Sequence, residues 1–423
     1  MQFSKHSYLY VLLHFLLLAI ILVGGSYLGW LPIKWVIIKL APWDPSWYRN
    51  IAVNGYSYNA SEQSSVAFFP MFPLLWRLLG VGEYGMSLVN LLLLVSGLVI
   101  IAKQYKLNSA EALFISATSG FFYCFLPYSE AVFFFTSVIL LVGYNRNSLF
   151  ITVLGVLLAS ISRSAAVVFI PSIVLVELLT WQQGQTYNKV MRALTLLGAC
   201  MAGIVIVAYI QFVDTGEWFV FGTASKMWNK RLQFPTLPLK TWDNLRMLFY
   251  DTAALAAGLI AGFVLVFFLI RKLINRVAIY KPDLVFSLAY LGGMALIALI
   301  YGVQGEHETY INSLNRYIFC TSFFAVPVIY QLRTTNTSIP MILLCLIVGA
   351  VACLLVGYPF NPYGADKQAI AWIDVIGILS VCVLFPLLRS AATLQYLLLA
   401  FYLFQTSLQI HFFQLYLYQY WVG

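Results

Sequence analysis

The chain is predicted to be an all-α polytopic membrane protein with about 11–13 transmembrane helices. Three observations carry that prediction. Apolar residues fill 62% of 423 positions and charged residues only 9%, whereas a soluble domain keeps about 25% charge on the surface it turns to water. The mean hydropathy is +0.87. The apolar residues also run on without the period-two alternation of a membrane β-barrel. In hydrocarbon the backbone must satisfy its own hydrogen bonds, so each long run is read as a helix. All of 1–423 is taken as one transmembrane domain.

Crossing about 30 Å of hydrocarbon at 1.5 Å per residue takes about 20 residues. On that measure spans are predicted over 8–30, 86–102, 110–126, 130–144, 148–162, 164–180, 193–213, 250–270, 284–302, 315–332, 339–358, 370–388 and 391–413. The first run is too long for a signal-peptide core and no small-residue cleavage site follows it, so it is expected to be the first span. The short runs between 110 and 180 also fit bent pairs that do not cross fully. Cys124, Cys200, Cys320, Cys345, Cys353 and Cys382 all fall inside spans without metal or CxxC spacing. They read as small buried apolar groups, and neither a disulfide nor a metal site is expected.

Orientation follows from Lys and Arg in the short loops. With the N-terminus cytoplasmic, that side collects Lys5, Lys103, Lys106, Arg146, Lys189, Arg192, Arg271, Lys272, Arg276, Lys281, Arg333 and Arg389 against Glu111, Glu177 and Asp283. The opposite side holds equal numbers of cations and acids. Much of its positive charge lies in a second external loop, 214–249, where Lys226, Lys230, Arg231, Lys240 and Arg246 stand among aromatics. That loop reads either as a solvated interfacial segment or as a surface for a phosphate-bearing ligand.

The first external loop, 31–85, is the most polar stretch of the N-terminal half. Trp43-Asp44-Pro45 opens it, Asn54-Gly55-Tyr56 follows, then Glu62, then Phe68-Phe69-Pro70-Met71-Phe72-Pro73. The last segment has two prolines and too few apolar residues to cross, so a re-entrant or interfacial helix is expected there. Asp44, next to a shielding Trp43 and restricted to an extended backbone by Pro45, is a candidate general base. The plain alternative is a cap or turn residue. Asp44 and Glu62 together would suit a divalent ion, although none is required. Glu130 reads either as a helix N-terminal acid or as part of a site. Glu306, His307 and Glu308 read as a solvated acidic cluster. His14 and His411 read as satisfied within the bundle, and the sequons at Asn59 and Asn336 are weak signals.

The run WDPSWYRNIAVNGY…AFFPMFPLLWRL resembles the first-loop signature of PIG-V-like mannosyltransferases, relatives of GPI mannosyltransferase 2. Trp43, Asp44, Ile51, Ala52, Gly55, Tyr56, Ala67, Phe68, Phe69, Pro70, Pro73 and Arg77 fall in place. FFYCFLPYSEAVFFF is similar to a second family segment through Tyr128, Ser129 and Glu130. LASISRSAAVVF is similar to a third and supplies Arg163. EWFVFGTASKMWNKRLQFP resembles a loop that supplies Lys226, Trp228 and Arg231, and SLNRYIFCTSFFAVP a late element with Arg316 and Tyr317. Ser225, Asn229 and Ala166 depart from the pattern, which bears on donor or acceptor identity.

The resemblance implies a GT-C-like bundle with its active site on the non-cytoplasmic face. It implies transfer of a sugar, mannose by the family, from a polyprenyl-phosphate donor to a lipid-linked or glycan acceptor. Asp44 is then the base. Trp43, Tyr56, Glu62, Arg77, Glu130, Arg163, Lys226, Trp228, Arg231, Arg316 and Tyr317 bind substrate. No cofactor is expected beyond the lipid-linked donor, and no nucleic-acid partner. The location implied is a bacterial cell membrane with an external site, or the ER membrane in a eukaryote. An Arg at mid-membrane costs about 3 kcal/mol, so Arg163 and Arg316 in apolar surroundings point independently to pairing or function. The rivals are a transporter or flippase of a lipid-linked sugar and an inactive membrane subunit. A transporter often repeats its broken helices in both halves, and the WD…GY…FFP pattern has no second copy.

Overall fold

The computed structural model describes residues 6–31, 40, 42–182, 186–241, 245–275, 280–305, 308–334, 339–357, 365–387 and 395–420. Lys5, Arg276, Glu306, His307, Asn336 and Arg389, used in the sequence reading, lie outside them. Six described helices are long and apolar enough to cross a bilayer: α1 (Ser7–Tyr27), α4 (Glu83–Gln104), α9 (Thr186–Thr215), α11 (Leu245–Asn275), α12 (Pro282–Ile300) and α17 (Gln395–Leu417). The chain is therefore a multi-pass helical membrane protein. A further apolar pair, the 3-10 segment Ser119–Phe125 followed by α6 (Glu130–Asn145), is bent by 112°, the geometry of a broken span or a re-entrant loop. Other predicted spans fall on shorter apolar helices: α7 (Leu149–Ser162), α8 (Phe169–Leu179), α15 (Ile339–Leu355) and part of α16 (Ala365–Leu387).

Two predicted spans are not continuous helices. The run 110–126 divides into α5 (Ser109–Ser116) and the 3-10 segment, and 315–332 into α13 (Leu314–Phe319) and α14 (Ser322–Arg333). Hydropathy could not register the first break, because the freed backbone groups there find partners inside the protein rather than in water. Gln409 of α17 donates to the carbonyls of Ser116 (3.1 Å) and Thr118 (2.9 Å), and Gln405 accepts from Ser119 N–H (3.1 Å). Gln409 also meets His14 at 3.1 Å, which places that histidine within the bundle as expected.

The bundle is apolar on both sides of its helices. On α1, Val11, Phe15, Leu18 and Leu22 are buried while Leu9, Leu13, Leu16 and Ile20 are exposed, the pattern of a helix between protein and lipid rather than protein and water. Glycine permits the tightest approach, that of α6 to α7. A Cβ on Gly143 would lie 2.4 Å from Thr152 N, and one on Gly155 2.3 Å from Leu140 N. The two backbones touch, as small residues allow between membrane helices. This antiparallel contact returns the end of α7 to the start of α6.

The first loop folds into α2 (Asp44–Asn54) and α3 (Met71–Leu79). With nine residues α3 is too short to cross, in line with the prediction; it buries Phe72, Pro73 and Trp76 and exposes Leu78 (82%). Arg77 caps α2: its Nε and Nη2 donate to the carbonyls of Ala52 and Ile51, both at 2.7 Å, where a cation suits a helix C-terminus. Gly55 then turns the chain at φ +85°, and Tyr56 N–H donates to Asp214 of α9 at 2.8 Å. A Cβ at position 55 would sit 2.9 Å from that carboxylate. Gly55→Ala is expected to cost about 2 kcal/mol from the backbone conformation alone, read as a lower unfolding temperature in detergent.

The bundle has two polar ends. At one, Arg333 donates to Glu111 at 2.9 Å, Lys189 and Arg192 meet Glu177, and Asp283 accepts from Tyr105 at 2.7 Å. Asn145, at the end of α6, also reaches Asp283. Since α6 runs from Glu130 to Asn145 and α7 runs back, Glu130 and Arg163 lie at the other end.

Candidate functional site

At that second end, four charged side chains from four parts of the sequence form one chain of ion pairs. Arg316 is forked between two acids: Nε donates to Glu130 Oε1 at 2.6 Å and Nη2 meets Asp44 Oδ2 at 2.8 Å. Arg163 Nη1 reaches the same Oε1 of Glu130 at 2.7 Å. Burial is graded along the chain. The Glu130 side chain is 0% exposed, Arg316 5%, Arg163 8% and Asp44 21%. Within hydrogen-bond reach, then, only the Asp44 end opens outward. Buried charges persist when each is paired with good geometry, and the formal charge of this group sums to zero.

Each member is positioned by a local device. Asp44 is the first residue of α2 with Pro45 beside it in the first turn, where proline has no N–H to lose. The extended backbone expected for Asp44 is therefore not found. The departure from helix falls one residue earlier, on Trp43, at φ 64° and ψ −132°, a conformation that non-glycine residues rarely hold. Glu130 opens α6, where an acid also suits the helix dipole. The bend before it is held by Asn90 of α4, which donates to the carbonyls of Leu126 and Tyr128, and by Tyr48 O–H donating to Ser129 Oγ at 2.8 Å. Burial pushes the Tyr48 hydroxyl well above its usual range, with the carboxylate of Glu130 adding to the effect, so it stays a donor.

Arg163 follows α7 in an extended conformation (φ −154°), and its guanidinium lies 4.5 Å from the Tyr317 ring centre. Arg316 lies over Tyr128 at 4.7 Å and Tyr123 at 5.1 Å. Such ring faces favour a partly desolvated cation. The short α13 that carries Arg316 is anchored at its start by Asp251 of α11. Asp251 Oδ1 accepts from Asn315 N–H (2.9 Å) and Nδ2 (2.7 Å), and Thr241 donates to Oδ2 at 3.1 Å. Ser313, before α13, holds φ +64°. Asp251 thus fixes a strained turn three residues ahead of Arg316.

The structure joins Asp44, Glu130, Arg163, Arg316 and Tyr317, and disposes the other predicted residues differently. Trp228 packs edge-on against Phe68 (5.8 Å) and Trp47 (6.0 Å). Trp47 lies one turn after Asp44, on the same side of α2. Among the described residues the buried Trp228 ring N–H has no partner. Trp43 is exposed. Tyr56 is buried and donates through its hydroxyl to the Phe68 carbonyl at 2.9 Å; like Arg77, it braces the first loop. Glu62 is exposed on the turn after Asn59. Lys226, in the last turn of α10 (Val220–Met227), and Arg231 are exposed. Lys230 is near enough to act electrostatically on Tyr317.

Strands β1 (Val303–Gln304) and β2 (Thr309–Tyr310) form a short antiparallel ribbon beside this loop. Glu308 takes hydrogen bonds from Lys240 and Tyr310, which hold its carboxyl below the usual range. Among the described residues no group of three or more His, Cys, Asp or Glu is gathered for a metal ion. Asn90, Asp214 and Asp251 were missed as positioning residues. The available signal was a lone polar side chain in or at the end of an apolar span, which is rare without a partner.

Fold and site together define a multi-pass helical membrane protein with a buried acid–arginine network exposed at one carboxylate. Comparison with models of known families, with curated proteins and with solved structures gives no match.

Proposed function

We propose that the protein is a membrane glycosyltransferase of the GT-C type. It moves a sugar, mannose by the PIG-V-like resemblance, from a polyprenyl-phosphate donor to a lipid-linked or glycan acceptor on the non-cytoplasmic face. The observation that carries the reading is the pairing of Asp44 with Arg316, backed by Glu130 and Arg163. It sets a half-buried carboxylate against guanidinium groups at one polar end of an apolar bundle. In this reading the acceptor hydroxyl passes its proton to Asp44 as its oxygen bonds to the anomeric carbon. The bond from that carbon to the phosphate oxygen breaks, and its electron pair leaves with the lipid phosphate. Arg316 and Arg163 then stabilise the developing charge, with Lys230 nearby. One base on one face gives inversion at the anomeric carbon.

Two further features support the reading. Trp47, Phe68 and Trp228 form an aromatic group on the Asp44 side of α2, suited to the apolar face of a sugar. A largely apolar cavity of about 220 Å³, lined in part by Phe249, Tyr250, Leu291, Phe319 and Ile378, suits an isoprenoid chain. The test is transfer of radiolabelled mannose from a mannosyl polyprenyl phosphate by the purified protein in lipid nanodiscs. Label moved to glycolipid or glycan acceptors is the expected result, and a protein inert with every lipid-phosphate sugar overturns it. Sidedness has its own test, made clean by the burial of all six native cysteines. A cysteine at Ser61 is expected to react with an impermeant thiol probe from outside intact cells. Labelling at Asn147 instead would invert the orientation.

A further inference from the structure

We propose that Asp44 and the donor phosphate compete for Arg316, so that binding of the donor releases the base. The proposal rests on the lipid-phosphate reading above and concerns how the site is switched on. The two ends of the Arg316 fork differ in kind. The Glu130 end is closed, because that carboxylate is fully buried and its Oε1 already serves two guanidiniums. The Asp44 end is reachable: its side chain is 21% exposed and engages Arg316 through Oδ2. An anion approaching from outside therefore meets a network that is neutral until one pair opens. Only the Asp44–Arg316 pair can open toward it.

A phosphate oxygen offers the Arg316 fork the same geometry as the carboxylate oxygen it replaces. Glu130 keeps Arg316 in place during the exchange, so the guanidinium need not move far. The backbone at Trp43 stands in a strained conformation immediately before Asp44. Strain at such a position is a device for two-state behaviour. Before donor arrives, Asp44 is engaged by Arg316; afterwards it faces the acceptor unpaired. Donor therefore binds first, and the base acts only when a leaving group is in place.

The experiment is a double-mutant cycle on binding of farnesyl phosphate to the full-length protein in detergent, read by titration calorimetry. Asp44→Asn is expected to bind the probe about tenfold more tightly than wild type, the size of one charge-assisted hydrogen bond. Arg316→Gln is expected to bind it weakly, and adding Asp44→Asn in that background to change affinity less than about twofold, because the coupling runs through Arg316. If Asp44→Asn binds no tighter than wild type, the competition is wrong. A tenfold gain that persists in the Gln background means bare repulsion by Asp44 and also overturns it. Should Arg316→Gln fail to fold, Arg316→Lys serves, since an ammonium cannot span both acids as a fork and the gain must shrink. Absence of farnesyl phosphate binding by wild type and Asp44→Asn alike removes the lipid-phosphate reading itself, and the competition with it.

Discussion

Asp44→Asn is expected to lower sugar transfer by about 10²–10⁴-fold, the range for losing a general base, while the folded protein survives. The amide keeps the shape of the carboxylate and can still accept from Arg316 through its oxygen. Arg316 in turn remains held by Glu130 at 2.6 Å. Because Asp44 is the most accessible member of the network, at 21% exposed, removing its charge should cost less stability than removing that of the fully buried Glu130. Activity and folding are thus separable at this position. Transfer by the purified variant at the wild-type rate removes Asp44 from the role of base.

The second large effect is on stability. Glu130→Gln is expected to destabilise the protein by about 3–5 kcal/mol, the cost of breaking a buried pair by removing one partner. Glu130 is the shared anion of two guanidiniums, each less than a tenth exposed. With an amide in its place Arg163 keeps no acid partner among the described residues, and Arg316 only the outer one. Thermal unfolding in detergent measures the loss, and Arg49→Gln provides the control. Arg49 pairs with Glu83 at 2.6 Å, but its side chain is 60% exposed, so its removal should cost about 1 kcal/mol or less. Equal losses in the two variants would mean that the Glu130 network contributes no more than a surface pair.

Glu130 also shows why its reading stayed open in the sequence. As the first residue of α6 it fits a helix-terminal acid, and that reading holds. Its ion pairs come from residues 33 and 186 positions away, separations that leave no local pattern. Arg163 and Arg316 were legible as anomalies, because an arginine in an apolar setting must find a partner. Which partner each finds depends on helix packing. The backbone contact at Gly143 and Gly155 sets the α6–α7 pair, and Asp251 sets α13. Arg77 shows the reverse case. It stands in the same motif as Asp44, yet the fold uses it to cap α2.

Taken alone, the sequence determines that this chain is helical and crosses a membrane. Hydrocarbon imposes that on any chain with long apolar runs, since each segment must satisfy its own backbone. Charge spacing also separates the two polar ends, and Lys106, Arg192 and Arg333 do lie opposite Glu130 and Arg163. Only the tertiary structure decides where helices break, as at 117–118, where the freed groups are satisfied by distant side chains such as Gln409. It alone decides that Arg316 joins Asp44 to Glu130. Pairing between charges is a property of distance in space, and distance along the chain does not encode it.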